Sequence, residues 1–303
     1  MAPASRMGRF GVLVTSLLLI CTPMAGLAQT VRYLSDEEAL ALEHQTRFSR
    51  LERLAKTFGV KPEPEFRSYV IPSRFMPADF KYDIPVLRII FPENTFFDTA
   101  SSVVKPSAVP IIYSMAAMLE GDVPDVSVFI AGHADARGGD VYNHNLSVAR
   151  ARAVSNVLNA ARKNPGDVWT IGFGESVPLF PNTAENNMAW NRRVEFLLAS
   201  RPDAIAYWLQ DQVVDVCRTT DAPARLKCML EFQQGQREFV AERVNPARVA
   251  LPKRLGPKSG STDAGAVREV QTGGDKVRST PEASNRIRIK LNEQRVRVQT
   301  IEN

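Results

Sequence analysis

Gly132-His133-Ala134-Asp135 follows the apolar run 126–130, and Leu146-Ser147-Val148-Ala149-Arg150 follows in turn. The run is rich in β-branched and aromatic residues and stops before Gly132, which reads as a buried strand entering a turn. Beyond the turn, Leu146, Ala149, Ala153, Val154, Val157, Leu158 and Ala161 return at helical spacing, and Asn143 or Asn145 is placed to cap that helix. Two more apolar stretches, 168–173 and 193–198, read as strands. Strand, helix, strand and strand in this order predict an α/β fold, a two-layer sandwich of a small mixed sheet with helices.

Working outward, 86–91 reads as the first strand of the same domain. Pro106 opens a helix that runs to Leu119, with Pro110 tolerable because it lies near the first turn. The domain is therefore placed at 84–200. Ahead of it, 35–58 reads as an amphipathic helix, with Ser35 and Glu38 forming a capping box and Gly59 a stop. Such a helix either packs on the domain or pairs with another protein. Pro62, Pro64, Pro72, Pro77 and Pro85 then suggest an extended connector, so 29–83 is read as helix plus connector. At the front, Arg6 and Arg9 precede an apolar stretch and the small residues Ala25, Gly26 and Ala28, the three parts of a secretory signal over 1–28. An uncleaved anchor is the alternative, although that stretch is marginal in length for a span.

Past the domain, 204–216 and 224–244 read as two helices of a hairpin over 203–245. Cys217 and Cys228 flank its turn, and in an oxidising compartment they most simply pair. A metal site on these thiols is not expected, because His44, His133 and His144 do not share their spacing. The tail 246–303 is basic, rich in Gly, Ser, Thr and Pro, and expected to be largely disordered. Within it Ile287, Ile289 and Leu291 alternate with Arg286, Arg288 and Lys290, which suits a strand added to a partner's sheet edge, contact with an anionic surface, or a solvated tail. The chain carries net charge +5 over 303 residues, and +3 without Arg6 and Arg9. Twelve Lys/Arg against six Asp/Glu give the tail +6, which leaves −3 for the rest, so charge gives no reason to expect nucleic acid as a partner.

The chemistry centres on Asp135 and Arg150. Asp135 lies just past a strand, where loops gather binding groups. An aspartate accepts from an ammonium, and an arginine fork takes a carboxylate in two parallel bonds. Together the two suit an amino acid with both groups on one carbon. On spacing alone, a loop-capping Asp and a surface Arg, paired with each other, are the better fit.

Residues 86–198 resemble the OmpA C-terminal domain family, which includes Pal-type and MotB-type peptidoglycan-binding modules. The resemblance is carried by Phe97-Asp98, Gly132-His133-Ala134-Asp135, Tyr142-Asn143, Leu146 to Ala151, Gly172-Phe173-Gly174-Glu175 and Asn191 to Phe196, in order. It implies that Asp135 and Arg150, with Asn143 nearby, bind diaminopimelate of the peptidoglycan stem without a covalent bond. It also implies that Arg193 is structural, and that Arg192 beside it belongs to the scaffold. Ala134, Arg137 and Gly138 match the Pal-type loop, which makes Arg137 a modulator of the pocket.

A phosphate loop at Gly172 and Gly174 lacks its further glycine and helix. No nucleophile elbow, metal cluster or supported acid pair suggests an enzyme, and no cofactor is expected. The resulting expectation is a non-catalytic peptidoglycan anchor in the periplasm of a Gram-negative envelope, associated with the wall or the outer membrane. Its protein partners would meet it through 35–58 and 203–303. The alternative is a structural part of an envelope-spanning secretion or motility machine.

Overall fold

Ile84–Pro92, buried at all but one residue, and Arg193–Ala199, buried throughout, form inner strands of a seven-stranded mixed sheet. The computed structural model describes residues 34–78, 80–120, 126–162, 167–234, 238–244 and 285–291. The proposed signal at 1–28 and most of the tail lie outside these residues.

In chain order the strands are β1 (Glu65–Ile71), β2 (Ile84–Pro92), β3 (Ser127–Gly132), β4 (Val168–Gly172), β5 (Arg193–Ala199), β6 (Glu238–Arg243) and β7 (Arg286–Lys290). They lie side by side as β1-β2-β5-β3-β4-β6-β7, with β3 and β4 parallel and every other pair antiparallel. The helices are α1 (Asp36–Thr57), α2 (Val109–Glu120), α3 (Asp140–Ala161), α4 (Glu185–Asn191), α5 (Pro202–Gln210) and α6 (Ala222–Gln234). This is the α/β class with a mixed sheet that the sequence predicts.

Both faces of the sheet are covered, which explains why β3, β4 and β5 are buried at every residue. On one face Leu87, Ile89, Phe91, Val128, Ile130 and Phe196 meet α1, α2 and α3 through Leu51, Ile112 and Val154. On the other, Phe129, Trp169, Ile171 and Leu197 meet Ile205, Trp208 and Leu209 of α5 and Phe232 of α6. Charges are buried in this second layer. Arg88 donates to both oxygens of Glu195, at 2.8 and 2.6 Å, and to Asp215 at 2.8 Å. Its guanidinium lies over the Trp208 ring. Asp215, past α5, is thereby tied to the sheet.

Four details differ from the sequence reading. Residues 65–71 are the edge strand β1, not merely a connector. Proline is absent from 65–71 itself, and an edge strand tolerates its prolines at either end. Phe48 of α1 packs its ring on Phe66, and Ser68 bonds His44 at 2.6 Å, so the apolar face of α1 rests on its own domain. The second arm of the hairpin ends at Gln234, and 238–243 is a strand, because Phe239 and Ala241 are buried in the core while Glu238 and Val240 are exposed. Within the tail, 286–290 pairs with that strand, burying Ile289. Finally, α3 starts at Asp140 with Gly139 as its cap, so Asn143 sits in its first turn and does not cap it. Cys217 and Cys228 form a disulfide.

Candidate functional site

Two paired glycines set the site's geometry. Gly132 ends β3 beside Gly172 at the end of β4. A Cβ at Gly132 would meet the Ser147 carbonyl oxygen at 2.1 Å, and one at Gly172 would meet Val148 Cγ2 at 2.4 Å. The helix α3 thus lies backbone-close to the strand ends, an approach only glycine permits. That contact fixes where Asn143, Ser147 and Arg150 stand relative to Asp135.

Asp135 is 5% exposed. Its carboxylate accepts from Arg137 Nε at 2.9 Å, from the Arg137 backbone N–H at 3.1 Å, and from Arg192 Nη1. Arg192 reaches Glu93 with Nε at 3.3 Å. Glu93 in turn accepts from Arg150 Nη2. Arg150 is 2% exposed, donates from Nε to the Ser101 carbonyl at 2.8 Å, and lies over the Phe97 ring. The charges therefore alternate in one line: Arg137, Asp135, Arg192, Glu93, Arg150. At the rim, Glu185 of α4 accepts from Arg192 at 2.9 Å and from Arg137 at 3.4 Å.

Burial alone would raise the Asp135 carboxyl, but hydrogen bonds from Arg137 and Arg192 outweigh it and hold its pKa below the usual value. At Glu93 the balance is reversed. Burial raises its pKa in spite of Arg150 and Arg192. Burial also lowers the pKa of Arg150, against the pull of Glu93. The Asn143 amide donates to the Asp135 carbonyl at 2.9 Å and to the Glu175 carboxylate. Burial, with Asp140 beside it, pushes Glu175 up to about 7.

The expected residues thus gather at one end of β3 and β4, but Asp135 and Arg150 are joined through Arg192 and Glu93. Arg193 lies apart from this line, fully buried. It donates to Glu195 at 2.6 Å and to the Val177 carbonyl at 3.0 Å, tying a loop to β5. Arg192, which the resemblance relegates to scaffold, contacts Asp135 directly. Glu93 gave no signal in the sequence, since it follows Pro92 in no motif. Among the described residues, no group of three His, Cys, Asp or Glu side chains is arranged to hold a metal, and no helix is long and apolar enough to cross a membrane.

Such a line of paired charges can exchange partners. An ammonium entering at Asp135 meets Arg137 first, whose side chain is 50% exposed. A carboxylate is drawn to the guanidiniums of Arg192 and Arg150.

Residues 96–192 match the OmpA family. The match includes Asp135, Arg137, Asn143, Arg150 and Arg192, and stops short of Glu93. Outer membrane porin F of Pseudomonas fluorescens is 38% identical over 112 residues, which are 37% of this chain and 34% of that protein. The probable lipoprotein YiaD of Escherichia coli is 32% identical over 108 residues, 36% of this chain and 49% of that protein. Outer membrane protein A of Bordetella avium is 32% identical over 109 residues, 36% of this chain and 55% of that protein. The chain thus spans between about a third and just over half the length of these relatives. Among solved structures, the cell wall anchor of the T6SS from Pseudomonas aeruginosa is 25% identical. That likeness covers 50% of this chain and 97% of that one, with a TM-score of 0.38. The peptidoglycan-associated lipoprotein from Burkholderia pseudomallei is 26% identical, covering 34% of this chain and 86% of that one, with a TM-score of 0.31.

Proposed function

We propose that the OmpA-family domain in this chain anchors it non-covalently to peptidoglycan, gripping diaminopimelate of the stem peptide in the periplasm of a Gram-negative envelope. The observation that carries this reading is the alternating line from Arg137 to Arg150, almost all of it inside the segment that matches the family. An amino acid carries an ammonium and a carboxylate on one carbon, and the line presents acceptors and donors for both. In this reading the ammonium replaces Arg137 at Asp135. The carboxylate engages Arg150, with Arg192 between them keeping the two ends in register. Asn143 acts through the backbone, bracing the Asp135 carbonyl. No bond is made or broken, so the role is binding and not catalysis.

The test mixes the full-length protein with isolated sacculi and sediments them. Wild type is expected in the pellet. Asp135→Ala and Arg150→Ala should each weaken binding by about tenfold or more, the worth of a charge-assisted hydrogen bond. Equal sedimentation of wild type and both folded variants would remove the assigned site.

A further inference from the structure

Beside the proposed diaminopimelate site lies a cleft of about 340 Å³, one wall of which comes from outside the family match. The volume is at the lower end of the range of about 300–1,000 Å³ usual for ligand pockets. The domain supplies Ala136, Asp140, Glu175 and Asn182, and α6 supplies Lys227 and Glu231. Phe173 and Phe232 add apolar surface. The wall formed by α6 is firmly placed. The Cys217–Cys228 disulfide ties it to the preceding turn. That turn is held to the domain, since Cys217 donates its backbone N–H to the Pro178 carbonyl at 3.1 Å, and Arg218 does the same to Leu179.

The cleft borders the first site. Ala136 follows Asp135, and its backbone N–H donates to Asn182 at 3.3 Å. The amide of Asn143 touches both the Asp135 carbonyl and Glu175. A ligand held at Asp135 and extending past Ala136 therefore enters a concave, mixed surface. Three carboxyl groups there can accept peptide N–H groups, and Lys227 can donate to a carbonyl or a terminal carboxylate.

We infer that this cleft is a second subsite, which takes the peptide segment joined to the diaminopimelate, so that α6 contributes to ligand selection. The inference rests on the anchoring reading above. Glu175, pushed up to about 7, exists near neutrality in part as a neutral carboxyl that both donates and accepts, which suits a peptide group.

The experiment titrates the full-length protein with two probes, free diaminopimelate and a soluble stem tetrapeptide containing it. Wild type is expected to bind the tetrapeptide about fivefold or more tightly than the free amino acid. Ala224→Trp fills the cleft from α6, and Lys227→Ala with Glu231→Ala strips its rim at exposed helix positions. Both changes should abolish the advantage and leave free diaminopimelate binding unchanged. Equal wild-type affinities for the two probes, or an advantage that survives both changes, overturns the subsite while the anchoring reading stands. Failure of wild type to bind either probe overturns the anchoring reading, and the subsite with it.

Discussion

At the scale of single residues, the site is a set of charges held under opposing influences. Glu175 is the clearest case. Its pKa is about 7 in the folded chain against an ordinary 4.5, so the folded state holds the proton more tightly than the unfolded one. Its contribution to stability is complete below about pH 4.5 and is lost as pH rises through 7. Glu175→Gln should therefore flatten the decline in unfolding midpoint between pH 5 and pH 8, read by urea denaturation at each pH. An unchanged slope would mean that Glu175 titrates normally. Arg137 offers a second residue-scale test. It is the exposed partner of Asp135, so in the proposed exchange it competes with an incoming ammonium. Arg137→Ala is expected to keep or tighten sacculus binding, whereas Arg192→Ala should weaken it. Equal losses in the two variants would contradict a competing role for Arg137.

At the scale of elements, the close seat of α3 on β3 and β4 positions the site. Gly132→Ala puts a methyl group 2.1 Å from the Ser147 carbonyl oxygen, so helix and strand must part. A loss of about 1–3 kcal/mol is expected, the usual range for overpacking, measured by urea unfolding. The disulfide acts on another element. It closes a short loop with a sequence separation of 11 residues, for which the chain-entropy relation gives about 3 kcal/mol. Reductant should lower stability by roughly that amount, and a negligible change would show that the turn before α6 is held by packing alone.

Element-scale legibility in the sequence followed periodicity. The stretches 126–130, 146–161 and 193–198 are long and regular, and they fold as read. Residues 65–71 were obscured by Pro62, Pro64 and Pro72, which bracket a strand whose pairing with β2 is a tertiary fact. Helix-compatible Glu and Ala in 238–243 hid a strand whose partner β7 lies more than forty residues away. At the site, the motifs named Asp135, Asn143 and Arg150. They could not reveal Glu93 and Arg192 as the links between them, because that convergence depends on β2, β3, α3 and α4 arriving at one place.

At the scale of the molecule, the described residues after β5 are integrated into the domain. The helix α5 covers the sheet, Asp215 bonds Arg88, and β6 and β7 extend the sheet beyond β4. Glu195 is the hub of this region, accepting from Arg88 and Arg193 with no exposure to solvent. Glu195→Ala takes the carboxylate from buried Arg193 and leaves Arg88 with Asp215 alone, and should cost about 3–5 kcal/mol, measured by thermal or urea unfolding. For the molecule as a whole, the proposed anchoring depends on this domain holding diaminopimelate at Asp135. The most direct measurement is calorimetric titration of the full-length protein with meso-diaminopimelate, repeated with folded Asp135→Asn. Saturable binding by wild type that falls by about tenfold or more in the variant is the expected result. Wild type that takes up no diaminopimelate, or a variant that binds it as tightly, would contradict binding at Asp135.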